Sequence, residues 1–194
     1  MRLTRELIDV SDEIRGVGPP ALPLLPEPFA VRVATVADAE LVADWMGRPH
    51  LAKTWEYDWP VARWRQHLRV QLDGTYSLPV VGSIAGTPHT YFELYRAAKD
   101  SIAEYYEADP HDIGLHVAIG EPDDVHQGLA AQVFPFLIGG VFDGDVACCR
   151  ILFDPDHRNV AARQACEYFG CQYLGEHDMP NRRMALYAYE RPSS

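Results

Sequence analysis

The segment 113–120, IGLHVAIG, admits few folded readings. Ile113, Leu115, Val117 and Ile119 alternate with Gly114, His116, Ala118 and Gly120. A period of two marks a β-strand, whose successive side chains point to opposite faces. One face is then branched aliphatic packing. The other presents a single imidazole between residues with almost no side chain, which predicts space beside His116 for something other than protein. A second strand, RILFDPD, carries Asp154 at its carboxyl end, just before a helix start. An imidazole, a carboxylate and a space between strands are the parts a site needs to take a proton from a substrate. The competing readings are structural: a hydrogen-bonded core histidine, and a strand-end aspartate bracing a turn.

The rest of the composition narrows the class. A chain of 194 residues is most simply one domain. Its net charge of −11 argues against a general nucleic-acid binder and is compatible with a cationic substrate. Cys148, Cys149, Cys166 and Cys171 lack the spacing of a zinc site and are too sparse for a disulfide scaffold. They read as reduced residues of a cytoplasmic protein. Glu6, Asp9 and Asp12 interrupt any signal-peptide pattern at the start, and no run approaches membrane-spanning length.

Residues 1–28 read as a proline-rich N-terminal extension and 29–194 as a single domain. Leu3, Leu7 and Ile14 line one side of a short helix in this reading, and Pro19 to Pro28 impose an extended strap across the domain. A strand over 29–35 follows. Thr35 caps a helix buried through Leu41, Val42, Trp45 and Met46. Asp58 caps a second, with Val61, Trp64, Leu68 and Leu72 inward and Gly74 ending it. Strands over 75–85 and 88–97 join around Gly86-Thr87. Ser101 and Glu104 form a capping box for a short helix before the His116 strand. An apolar helix around Pro135, the Asp154 strand, a helix capped by Asn159 and two closing antiparallel strands complete the chain.

This order resembles the α/β fold of the GCN5-related N-acetyltransferase (GNAT) family, a mixed central sheet flanked by helices. The run Asn159, Ala162, Tyr168, Gly170 and Gly175 carries much of that likeness. Within the family, WMGRPHLAKTWEYDWP, YFELYRAAKD, DIGLHVAIG and ILFDPDHRN resemble the siderophore N-acyltransferases, which acylate lysine or hydroxylysine. The resemblance implies an acyltransferase with no bound cofactor. Its donor is then an acyl-coenzyme A or an acyl-phosphopantetheine on an acyl carrier protein, and its acceptor is a small-molecule amine. The family cradles pyrophosphate with a Gln/Arg-x-x-Gly-x-Gly/Ala loop ahead of a helix, where backbone N–H groups suit phosphate. Here Gly128, Leu129 and Ala130 match as donor-binding residues, while Val125 replaces the Gln or Arg. That departure fits a carrier-protein donor, and it also fits a drifted coenzyme A site.

The chemistry follows from the acceptor. A lysine amine with a pKa near 10.4 costs roughly 4.6 kcal/mol to deprotonate at pH 7. His116 is the candidate general base, near its ordinary pKa of about 6.5. Asp154 orients the ring or binds the incoming ammonium. Glu93, between Tyr91 and Tyr95 on one strand face, is placed to hold that ammonium by charge, with the Tyr95 ring beside it. The resemblance adds an oxyanion site on the backbone near His116, where the family splays two parallel strands. Trp45, Trp55, Trp59 and Trp64 read as core and loop anchors, and the apolar helix over 129–142 as a wall for a long acyl chain. Arg63, Arg65, Arg69, Arg158 and Arg163 are candidates for a carrier-protein patch or for solvated helix faces. The absence of Gly-x-Ser-x-Gly and His-Glu-x-x-His motifs leaves no expectation of a serine hydrolase or a metal. Two other functions remain open: an aminoglycoside-type N-acetyltransferase, and a non-catalytic binding domain of the same fold.

Overall fold

Alternation along 113–120 does produce a strand, and it is the hinge of the fold. The computed structural model describes residues 3–126, 128–179 and 182–192. After a short helix α1 (Asp12–Gly16), strand β1 (Phe29–Val33) leads to helices α2 (Ala39–Met46), α3 (Pro49–Trp55) and α4 (Val61–Asp73). Strands β2 (Ser77–Ile84), β3 (Thr87–Arg96) and β4 (Ile113–Ile119) follow. Helices α5 (Pro122–His126) and α6 (Leu129–Gly144), strand β5 (Arg150–Phe153), helix α7 (Val160–Tyr168), and strands β6 (Gln172–Asp178) and β7 (Arg183–Glu190) complete the order. The seven strands form one sheet in the order β1-β2-β3-β4-β5-β7-β6.

Every neighbouring pair is antiparallel except β4 and β5. That parallel pair holds only at Ile113↔Ile151 and Gly114↔Leu152, after which the two strands part. The Gly120 N–H donates to the His89 carbonyl across β3 (2.8 Å). Backbone groups alternate in direction along a strand, so the N–H of Val117 points into the gap beyond the last β4–β5 pair.

The two sheet faces carry different cores. Leu94, Ile113, Leu115 and Ile151 pack with Leu137, Ile138, Val141 and Phe142 of α6. On the opposite face Tyr91 and Ala118 pack with Trp45, Trp55, Trp64 and Leu68 of α2, α3 and α4. Three of the four tryptophans are therefore core anchors, as read from the sequence. A third cluster joins Leu3 to Tyr76, Tyr95, Ile102 and Leu152.

Several local readings are corrected. Residues 3–10 are not helical: Leu3–Glu6 form a turn, the Glu6 N–H donating to the Leu3 carbonyl at 3.2 Å, and α1 begins only at Asp12 with Ser11 as its cap. Thr35 forms its capping box with Asp38 on a 3₁₀ turn that precedes α2. Asp58 does not cap α4: Pro60 holds that position with no side-chain bond. The inner face of α4 is Trp64, His67, Leu68 and Gln71, while Leu72 is exposed. Two polar residues there are buried because polar partners on β3 await them, a fact invisible to hydrophobic periodicity. The β2–β3 turn is Ala85-Gly86, both at positive φ, as a tight hairpin requires. Asp100, not Ser101, caps the 3₁₀ turn Ser101–Tyr105, accepting from the Ile102 N–H at 2.9 Å. The Asn159 cap is present, accepting from Ala162 N–H at 3.1 Å, and Gly170 takes its positive φ.

Candidate active site

His116 lies opposite Glu93 in the β3–β4 register. Asp154 immediately follows β5, at the point where that strand has left β4. The two strands thus place both carboxylates on the same imidazole. Glu93 Oε2 lies 3.1 Å from Nδ1, and Asp154 Oδ1 lies 2.9 Å from Nε2. Each carboxylate is held in turn. Glu93 Oε1 accepts from Gln71 Nε2 (3.1 Å) and the Tyr91 hydroxyl (3.0 Å), and faces His67 Nε2 at 3.1 Å. The Tyr95 hydroxyl donates to Asp154 Oδ1 at 2.7 Å.

The most buried cation at the site comes from the N-terminal strap. Arg5 Nη1 donates to Asp154 Oδ2 at 2.5 Å and stands 3.3 Å from His116 Nε2. Its Nε and Nη2 donate to Asp100 Oδ1 at 3.1 and 2.7 Å. Asp100 also accepts from the Tyr76 hydroxyl.

The charges set the titration. Burial disfavours the His116 imidazolium, but the charge and hydrogen bond of Asp154 and the bond from Glu93 outweigh it, and its pKa is raised. Burial alone would push Asp154 up; Arg5 and then His116 hold it far below the usual carboxylate range. Glu93 is likewise held well below that range against burial, by hydrogen bonds from His116 and His67. These neighbours favour the imidazolium, where the sequence reading took an ordinary histidine pKa. Nδ1–H stays committed to Glu93, and Nε2 is the atom that gains or loses a proton.

The predicted space in the strand face is filled by protein. A Cβ on Gly114 would lie 2.0 Å from the Tyr95 ring, and one on Gly120 would lie 2.4 Å from the Trp45 indole. The small residues admit aromatic neighbours rather than a ligand. Tyr95 is itself buried beneath His116, ring centroids 4.7 Å apart, and serves Asp154 while bordering the site. Access comes from another side. A cavity of about 30 Å³ borders His116, Glu93, Tyr95, Trp59 and Arg5. It has room for a water or two. A second of about 470 Å³ opens between the strap and α4, past Glu6, Arg69 and Asp73. Both are bordered by Leu3, Gln71, Tyr76 and Ser77.

Gly128 stands apart from this cluster, at φ 74° before the first turn of α6. Among the described residues no side chain caps that turn. Leu129 is buried and Ala130 exposed. Gln127 of the same loop lies outside the described residues. Most of the arginine patch is neutralised: Arg65 pairs with Glu40, Arg158 with Asp156 and Glu56, and Arg163 with Glu176. Arg63 covers the Trp59 ring at 3.9 Å.

Arg5, Asp100, His67, Gln71 and Tyr76 were not singled out as site residues from the sequence. No local pattern marks Arg5, because the chain turns over Leu3–Glu6 rather than running as a helix or a strand.

Comparison with known proteins matches residues 34–179 to the acetyltransferase (GNAT) domain. The chain belongs to the GNAT acetyltransferase family. Among GNAT proteins it is 54% identical over 194 residues to the lysine N-acyltransferase MbtK of Mycobacterium tuberculosis, covering 100% of this chain and 92% of that one. It is 58% identical over 190 residues to a protein of the same name from Mycobacterium sp. (strain MCS), covering 97% and 78%. A GNAT structure of an aminoglycoside acetyltransferase in complex with coenzyme A superposes at a TM-score of 0.75. It covers 84% of this chain and 95% of that one at 22% identity, a likeness of fold. This GNAT chain is an acyltransferase, and among its described residues no helix is long and apolar enough to cross a membrane.

Proposed function

We propose that this enzyme moves an acyl group from a thioester to the N6 nitrogen of lysine or hydroxylysine, a step in assembling a mycobactin-type siderophore. The observation that carries the reading is the placement of Glu93 and His116 side by side on the small cavity next to the larger one. A carboxylate receives the ammonium, and an adjacent imidazole takes its proton. The relatives named as lysine N-acyltransferases support the choice of amine. A cavity of about 470 Å³ suits a small amino acid.

In this reading Glu93 attracts the protonated amine and keeps the His116 ring oriented through Nδ1. His116, once neutral, accepts the proton at Nε2. Its raised pKa leaves less of it neutral at pH 7 but narrows the gap to an amine of pKa near 10.4. Asp154 stabilises the imidazolium that results. The freed nitrogen attacks the thioester carbonyl, the C–N bond forms, and the C–S bond breaks to release a thiol. The Val117 N–H is the donor aimed at the developing oxyanion.

Gly128, Leu129 and Ala130, with the backbone N–H groups of the first turn of α6, suit the phosphate of either coenzyme A or an acyl carrier protein's phosphopantetheine. Docking of an acidic carrier falls to Arg63 and Arg69, which have no acidic partner among the described residues. The 1–28 extension and the 29–194 domain work as one catalytic unit, in the cytoplasm where such thioesters are made.

The test is turnover of lysine, N6-hydroxylysine and an aminoglycoside with short and long acyl donors on both carriers, with products read by mass spectrometry. Amide or hydroxamate at N6 is expected. Exclusive O-acylation, or transfer only to the sugar amine, rejects the assignment. No transfer from any thioester points instead to a binding domain.

A further inference from the structure

We infer that Arg5 is a positioning residue of the catalytic pair, and that the N-terminal strap therefore serves the chemistry as well as the fold. The inference rests on the reading of His116 as the base.

Arg5 is 5% exposed and spends its donors on two carboxylates. The bond to Asp154 Oδ2 leaves Oδ1 to face His116 Nε2 and the Tyr95 hydroxyl. A carboxylate with both oxygens engaged cannot swing, so Arg5, beside the ring, fixes the direction of Oδ1 through Oδ2. The strap is pinned where this matters. The Arg5 carbonyl accepts from the Ser101 N–H at 3.0 Å, and the Leu7 N–H donates to the Lys99 carbonyl at 2.8 Å.

Charge gives Arg5 a second role. The interior holds Glu93, Asp100 and Asp154 within one bonded network, and Arg5 is its permanent cation. The groups facing His116 are Glu93 and Tyr95 from β3, Asp154 beyond β5, and Arg5 from the strap, with His67 of α4 one bond further through Glu93. Without the guanidinium, the imidazolium would become the chief counterion of Asp154 and hold its proton longer. Nη1, 3.3 Å from Nε2, also offers a donor to the neutral ring's lone pair. Lysine would keep the charge but not the planar fork that spans two carboxylates.

The experiment uses the full chain with Arg5→Ala and Arg5→Lys, measuring kcat, both KM values and the pH dependence of kcat/KM. For Arg5→Ala, kcat falls about 10- to 100-fold, by analogy with other residues that orient a reacting group. Its acid limb moves to higher pH, and added guanidinium ion restores part of the rate. Arg5→Lys keeps the acid limb near that of the wild type while kcat stays low. Donor KM changes little in either. An Arg5→Ala enzyme with an unmoved acid limb and no response to guanidinium makes Arg5 a purely structural residue. If Arg5→Ala does not fold, Arg5→Lys decides: wild-type kcat overturns the proposal. His116→Ala is run alongside. Full turnover there defeats the underlying reading, whereas its loss with an unaffected Arg5 variant defeats only this inference.

Discussion

His116 Nε2 stands 2.9 Å from Asp154 Oδ1 across the gap where β4 and β5 stop pairing. Two residues past the last ladder pair on each strand, a side-chain contact takes over from the backbone ladder. The contact that bridges the sheet there also orients the His116 ring, so both ends of it are open to test.

Replacing His116 by Ala is expected to lower kcat about 10²- to 10⁴-fold, the usual worth of a positioned base. Asp154→Asn is expected to fall in the same range, since it leaves Arg5 without a charged partner beside the ring. Steady-state kinetics with the amine saturating checks both. Either variant retaining wild-type kcat removes the pair from the mechanism.

The wild-type rate is expected to climb with pH, because His116 must shed its Nε2 proton before it can act. Since its pKa is raised by Asp154 and Glu93, the midpoint of the climb lies above about 6.5. Glu93→Gln keeps the shape and removes a charge, so the midpoint moves down and the amine KM rises. A pH profile that does not respond to Glu93→Gln would detach Glu93 from His116.

Stability carries the same signature. The folded His116 pKa exceeds the unfolded value, so its contribution is complete below about 6.5 and is lost as pH rises through the raised value. Asp154 and Glu93 are depressed, so theirs is complete above about pH 4 and is lost as pH falls through the lowered values. Urea midpoints from pH 6 to 9 are expected to decline less in His116→Ala than in the wild type. Equal slopes would show that the imidazolium is not part of the folded state.

Gly114→Ala tests the packing beneath the site. The added Cβ would fall 2.0 Å from Cζ of Tyr95, so the ring must move and its hydroxyl leave Asp154. A loss of about 1–3 kcal/mol is expected, the range for overpacked cores, together with reduced kcat. A variant of unchanged melting temperature and activity contradicts this contact.

The helix α3 (Pro49–Trp55) went unread and Thr35 caps a 3₁₀ turn, but the order of the seven strands, the Asn159 cap and the pairing of His116 with Asp154 were legible in the chain. Each depends on signals a few residues long: alternation, a polar cap, a charged residue at a strand end. The reading of Gly114 and Gly120 as empty space failed for a related reason. Small residues show that something large comes close, and only the packed fold says whether it is substrate or, as here, Tyr95 and Trp45.

By itself the sequence determined which strand carries His116 and which strand end carries Asp154, because strand periodicity is a property of neighbouring residues. Only the tertiary structure decided that His116 sits between two buried carboxylates, and that Arg5, 111 positions away, shares one of them. Burial strips water from these groups and leaves them to satisfy one another. Which partners meet is set by how the strap, α4 and the parted strands pack, and no local pattern encodes that.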